Sequence, residues 1–319
     1  MVNGVAVLSY IKRTSHTGTL GELHIKFSDD YGTTWTDEDK YLNGDAVTGF
    51  PMTPPAPGEN AQEPYLITAS NGNLLLHFWD AYDGGSYQSV STDDGATWGN
   101  AAKIDFVGSD NDDLIHTTED HFVYDGVIYS AAREFIDAAA SQTRRIFVKS
   151  TDNGATWDFV SIMFGYESTE NECGLEYIGN DTIIAIYRAK TTDKTYRSYS
   201  FDMGATWSAL ENVTATLPAI GRPRLYTAAH LRGEANWWED THLILCGYAY
   251  IPGNRHTYIA QSWDAGASWD IVFYVDEPVP DAGYSELFYN PTNGHYILEG
   301  YHWANDQAVV KQYDLTVTW

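Results

Sequence analysis

Arginines and carboxylates are the residues of this chain best placed to do chemistry. It carries only 18 Lys and Arg against 44 Asp and Glu. Yet Arg13, Arg133, Arg188 and Arg255 fall at the ends or starts of strand-like runs, as do Asp80, Glu134, Glu172, Tyr284, Glu286 and Glu299. Arg222 or Arg224 could join them. A planar guanidinium pairs with a carboxylate through two parallel N–H bonds, so arginines gathered in an acidic protein point to a pocket for an anionic group. No Ser-His-Asp order, phosphate loop or His/Cys metal spacing occurs. The acidic run Asp110-Asn111-Asp112-Asp113 lacks the full ligand spacing of a calcium loop, so neither metal nor cofactor is expected.

These residues lie hundreds of positions apart, so something regular must gather them. An eight-residue pattern, Ser-x-Asp-x-Gly-x-[Thr/Ser]-Trp, begins at Ser28, Ser91, Ser150, Ser200 and Ser262. The start-to-start spacings are 63, 59, 50 and 62 residues, the length of a four-stranded propeller blade. Within each copy the Asp can accept backbone N–H bonds across a turn, the Gly permits positive φ, and the Trp folds back onto the blade. The repeated aspartates are therefore structural; a ring-symmetric set cannot converge on one site.

Each box follows the same order of elements. In the second unit Glu63 to Ile67, the turn at Asn71-Gly72, Leu74 to Phe78 and Tyr87 to Val90 read strand, turn, strand, loop, strand. The fourth unit repeats it, and a sixth runs from Tyr284 to a decayed box at Trp319. The first unit begins at its second strand, Val5 to Ile11, which places its innermost strand before Met1. The expected fold is all-β, a single six-bladed β-propeller over 1–319 with four-stranded antiparallel blades near 1–45, 60–100, 113–160, 170–210, 222–272 and 282–319. In that order the starts of first and third strands and the ends of second strands share one face, opposite the boxes.

A net charge of −26 excludes nucleic acid and anionic membrane as partners. No apolar run reaches a membrane span, and the first residues lack the charged and apolar regions of a signal peptide. An extracellular or virion-associated setting is the expectation. Cys173 and Cys246 allow one disulfide or two buried thiols. Trp237-Trp238 reads either as a sugar-stacking platform or as a local cluster.

Three short segments, in the right order and units, carry a family resemblance. Asn171-Glu172-Cys173-Gly174-Leu175-Glu176 followed by Ala185-Ile186-Tyr187-Arg188 is similar to the sialidase segment in which a glutamate opens a strand and an arginine closes the next. Leu243-Ile244-Leu245-Cys246, Asn254-Arg255 and the following box resemble the segment bearing another arginine of the sialidase carboxylate-binding triad. Ala282-Gly283-Tyr284-Ser285-Glu286-Leu287 resembles the Tyr-Ser-x-Leu that presents the family's nucleophilic tyrosine. The resemblance to this Asp-box superfamily implies a retaining glycoside hydrolase for sialic acid or a similar nonulosonic acid. Tyr284 would be the nucleophile and Glu172 the base that takes its proton, with Arg188 and Arg255 clamping the carboxylate and Glu299 orienting an arginine. A neutral phenol avoids the repulsion a carboxylate nucleophile would meet beside the sugar's own carboxylate. With a pKa of about 10 it needs the neighbouring base.

Two departures from the family pattern stand out. The first triad arginine normally lies in the opening strand of blade one, for which Arg13 is a substitute at the end of a second strand. The loop that should carry the acid/base aspartate reads Thr14-Ser15-His16-Thr17-Gly18, where His16, with a pKa of about 6.5, is the titratable group. That combination resembles bacteriophage tail-spike endosialidases, which cut polysialic acid internally, whereas the Tyr284 motif pulls toward the exo type. Arg133, Tyr82 and Asp83 are rim candidates. The partner is a sialylated or other acidic glycan, and two other readings stay open: a non-catalytic acidic-glycan-binding propeller such as a viral tail or receptor-binding domain, and a hydrolase of this fold for another glycan.

Overall fold

The computed structural model describes residues 5–13, 21–35, 40–41, 61–80, 85–109, 115–135, 143–167, 172–189, 194–218, 220–251, 254–275, 281–304 and 307–316. Two compact units are present, the first of residues 1–141 and 146–160, the second of 142–145 and 161–319.

In the first unit, β1 (Ala6–Arg13), β2 (Gly21–Ser28) and β3 (Lys40–Tyr41) form a three-stranded sheet. Next come β4 (Ala61–Thr68), β5 (Leu74–Asp80), β6 (Gly85–Ser91) and β7 (Ala102–Lys103), paired in sequence order. A third sheet, most of whose residues belong to this unit, joins β8 (Phe106–Val107), β9 (Ile115–Tyr124), β10 (Val127–Phe135), β11 (Thr143–Ser150) and β12 (Trp157–Glu167) in the order β8-β12-β11-β10-β9. Here the expected four-stranded antiparallel pattern is exceeded: β8 adds a fifth, parallel strand by pairing Phe106 with Trp157. The apolar residues of alternating strand positions meet in one core of Tyr65, Ile67, Leu75, Phe106, Ile128, Ile146 and Trp157. Burying each such side chain stabilises the unit by about 1.5–3 kcal/mol.

The second unit holds β13 (Cys173–Tyr177), β14 (Ile183–Ala189), β15 (Lys194–Ser200) and β16 (Glu211–Asn212), then β17 (Ile220–Thr227), β18 (Leu243–Ile251), β19 (Asn254–Ser262) and β20 (Asp270–Tyr274). The last sheet is β21 (Asp281–Asn290), β22 (His295–Ala304) and β23 (Gln307–Leu315). Between β17 and β18 a four-residue helix, α1 (Ala228–Leu231), and a 3-10 turn at Trp237–Glu239 fill the insertion. The described residues thus form six sheets, of which five are distinguishable as propeller blades. The first and last sheets each hold three strands among the described residues, one short of a full blade.

All five boxes fold alike. In the fifth, Ser262 Oγ donates to Asp264 Oδ1 at 2.8 Å and accepts the Gly266 N–H at 2.8 Å. Asp264 in turn takes the Ser268 N–H at 2.8 Å and hydroxyl at 2.6 Å. These bonds, the Ser268 hydroxyl foremost, hold the Asp264 carboxyl down to about 2. The serine is thus the hub of the turn, a role the sequence pattern did not disclose. The residue before each glycine also has positive φ: Tyr31, Asp94, Asn153, Met203 and Ala265.

Candidate functional site

Glu172 immediately precedes β13, and Arg188 lies one residue from the end of β14. The antiparallel register that pairs Cys173 with Tyr187 sets these two side by side, and the Arg188 N–H donates to the Glu172 carbonyl at 2.9 Å. Their side chains also meet, with Arg188 Nη1 3.0 Å from Glu172 Oε2. Both are buried.

A third participant arrives from β17. That strand bulges between Gly221 and Arg224, and within the bulge Arg222 takes φ 48°, a left-handed conformation uncommon for arginine. The turn points its N–H at Glu172 Oε2, 2.7 Å away, while its Nε lies 3.3 Å from Oε1. Burial opposes ionisation of Glu172, but Arg222, Arg188 and their hydrogen bonds outweigh it, so its pKa is lowered. Gly174 allows the approach of β17, since a Cβ there would sit 2.7 Å from the Pro223 carbonyl.

Tyr248 of β18 continues the cluster. Its hydroxyl accepts from Arg188 Nη1 at 2.9 Å, and its ring lies 5.5 Å from the Arg188 guanidinium carbon and 4.9 Å from that of Arg255. Arg188 and Arg255, 67 residues apart in sequence, therefore share one aromatic ring. Of the two alternatives Arg222 and Arg224, the structure uses both, on different carboxylates. Arg224 Nε lies 3.4 Å from Glu286 Oε2, and the Tyr226 hydroxyl donates to Glu286 Oε1. Burial pushes the Glu286 carboxyl up, with Arg224 opposing. Glu299 is buried directly across the ladder from Glu286.

Tyr284 lies in β21 where the register slips between Gly283 and Glu286, a bulge like that of Arg222. The thiol of Cys246, two residues before Tyr248, donates to the carbonyl of Ser285 at 3.7 Å, which sets this bulge against β18. The Tyr284 side chain lies outside the described residues, as does that of Arg13, which closes β1. His16, Tyr82 and Asp83 also fall outside them.

Other expectations change. Arg133, a rim candidate, is 3% exposed, with its Nη2 3.3 Å from Glu63, which itself sits in a bulge of β4 at φ 48°. Trp237-Trp238 is a local cluster, because Trp237 stacks on His230 at 4.2 Å and packs edge-on against Tyr177, at the end of β13 remote from Glu172. Cys173 and Cys246 are buried thiols and not a disulfide. No metal-ligating group of three or more side chains occurs among the described residues. Sequence reasoning missed Tyr248 altogether; the unusual pair Gly221 and Gly247 on facing strands was the available signal.

The sequence matches no protein-family model and no curated protein. In structure it is similar to a Hadza microbial sialidase, with 14% identity and a TM-score of 0.73 over 98% of this chain and 64% of the other. It thus spans under two thirds of that protein's length. The intramolecular trans-sialidase from Ruminococcus gnavus aligns with 11% identity and a TM-score of 0.69 over 99% of this chain and 93% of that one. An alpha-L-arabinanase from Penicillium chrysogenum aligns with 15% identity and a TM-score of 0.65 over 98% and 91%. The chain has the all-β propeller fold of sialidase type.

Proposed function

We propose that this protein is a glycoside hydrolase acting on sialic acid or a similar carboxylate-bearing sugar. Fold does not fix function, so the reading rests on the site. The observation that carries it is the convergence of Arg188 and Arg255 on one tyrosine ring, beside an ionised glutamate. Two guanidinium groups held together in a chain of charge −26 form a local anion site whose geometry suits a carboxylate. In this reading they clamp the sugar carboxylate, Tyr284 attacks the anomeric carbon, and Glu172 draws off the phenolic proton. Glu299 orients an arginine, Arg13 is the candidate for the remaining arginine of the set, and His16 is the candidate acid/base group. The same reading takes 1–319 as one six-bladed propeller, working outside the cell or on a virion against a sialylated or other acidic glycan.

Turnover of an activated sialoside, sialyllactose and polysialic acid by wild type, Glu172→Gln and Tyr284→Phe tests it. The expected result is wild-type turnover with each variant down by about 100-fold or more. Activity only on the polymer assigns the endo mode. Binding without wild-type turnover would replace the hydrolase with a glycan-binding propeller, and full activity in both variants refutes these roles.

A further inference from the structure

Tyr248 has no role in the chemistry above, yet it touches both clamp arginines. We propose that it is a positioning residue that fixes the separation of Arg188 and Arg255 so that both address one carboxylate, an inference that rests on the hydrolase reading. Two like charges brought together repel, and the negative face of an aromatic ring offsets that repulsion when each cation lies within about 6 Å of it. Both arginines meet this condition, at 5.5 and 4.9 Å. The hydroxyl adds a directional hold, accepting from the same Arg188 Nη1 that meets Glu172.

The backbone builds a place for this ring. Tyr248 pairs with Gly221 across the β17–β18 ladder, and a Cβ on Gly221 would run into the ring. Arg255 stands diagonally across the β18–β19 ladder, since Tyr248 pairs with Thr257 and Tyr250 with Arg255, so the two share a face. Tyr248 is itself 4% exposed, which prevents it from serving as a surface contact of its own.

The test compares N-acetylneuraminic acid with its methyl ester, which lacks the charge, by calorimetric binding to wild type, Tyr248→Phe and Tyr248→Leu. KM and kcat on an activated sialoside are measured alongside. Tyr248→Phe keeps the ring and loses the acceptor, so acid binding should weaken about three- to tenfold. Tyr248→Leu loses both and should weaken it roughly 100-fold, raising KM with kcat within about threefold. Ester binding should change little in either variant. Wild-type acid affinity in both variants, or equal losses for acid and ester, overturns the positioning role and leaves the hydrolase reading intact. Failure of the wild type to bind the acid removes that reading, and the positioning role with it. If Tyr248→Leu does not fold, the acid–ester comparison in Tyr248→Phe decides.

Discussion

Arg222 holds Glu172 twice, once through its backbone N–H at 2.7 Å and once through its Nε at 3.3 Å. An ordinary strand does not favour this, because a residue's N–H lies in the plane of the sheet while its side chain stands perpendicular to it. The left-handed φ of 48° within the β17 bulge turns main chain and side chain of one residue toward the same carboxylate. Strain of this kind costs about 1–3 kcal/mol and persists where surrounding contacts over-determine it. Here the contacts are those that keep a buried carboxylate charged.

Removing that hold should make Glu172 easier to protonate. Burial works against its charge, and the arginines more than offset burial, so its folded pKa lies below the unfolded value of about 4.3. The stability contributed by its ionisation is therefore present above that value and lost as pH falls through the folded pKa. Arg222→Ala should raise the folded pKa and move acid unfolding to higher pH, with a loss of about 1–3 kcal/mol at neutral pH. Carboxyl NMR titration with acid unfolding checks this. An unchanged Glu172 titration contradicts it.

Gly174→Ala should damage the site without touching a charged group. The added Cβ would meet the Pro223 carbonyl, a backbone atom that cannot swing aside, and so press the β17 bulge away from β13. Losing the Arg222–Glu172 contact should cost about 2–4 kcal/mol of stability and at least tenfold in kcat/KM. Urea unfolding and steady-state kinetics measure both. A variant as stable and active as wild type shows that this close approach is not needed.

In the first unit, His77 should set a pH dependence of stability. It is buried, its Nε2 2.7 Å from Gln88 Oε1, and burial lowers its pKa to about 4. Between about 6.5 and 4 the unfolded chain gains a proton that the folded chain refuses, so stability is full above about 6.5 and falls by up to about 1.4 kcal/mol per pH unit below it. His77→Gln should flatten part of that slope between pH 6.5 and 5. An imidazole that titrates near 6.5 in the folded protein refutes the assignment.

What the sequence makes legible follows the range of the interaction. The boxes are visible because Ser28, Asp30, Gly32 and Thr34 interact within five residues, and the same short pattern returns four more times. Glu172 and Arg188 are visible because one hairpin register pairs them. Arg222 appears only as one of two alternatives, since a bulge decides which way it faces, and no local rule gives arginine positive φ. Tyr248 is invisible for another reason: its importance comes from two arginines on other strands, Arg188 on β14 and Arg255 on β19. The ion pair of Arg133 is invisible too, because its partner, Glu63, lies 70 residues earlier in another sheet.

Paired measurement of kcat/KM for an activated sialoside and its methyl ester, in wild type, Arg188→Lys, Arg255→Lys and the double variant, tests the carboxylate clamp most directly. Lysine keeps the charge and removes the planar fork, so each single change should cost about 10- to 100-fold on the acid and little on the ester. The double variant should fall short of the product of the two losses, because the groups act on one carboxylate. Equal turnover of acid and ester by the wild type, or indifference of the acid to both lysines, contradicts a carboxylate held between Arg188 and Arg255.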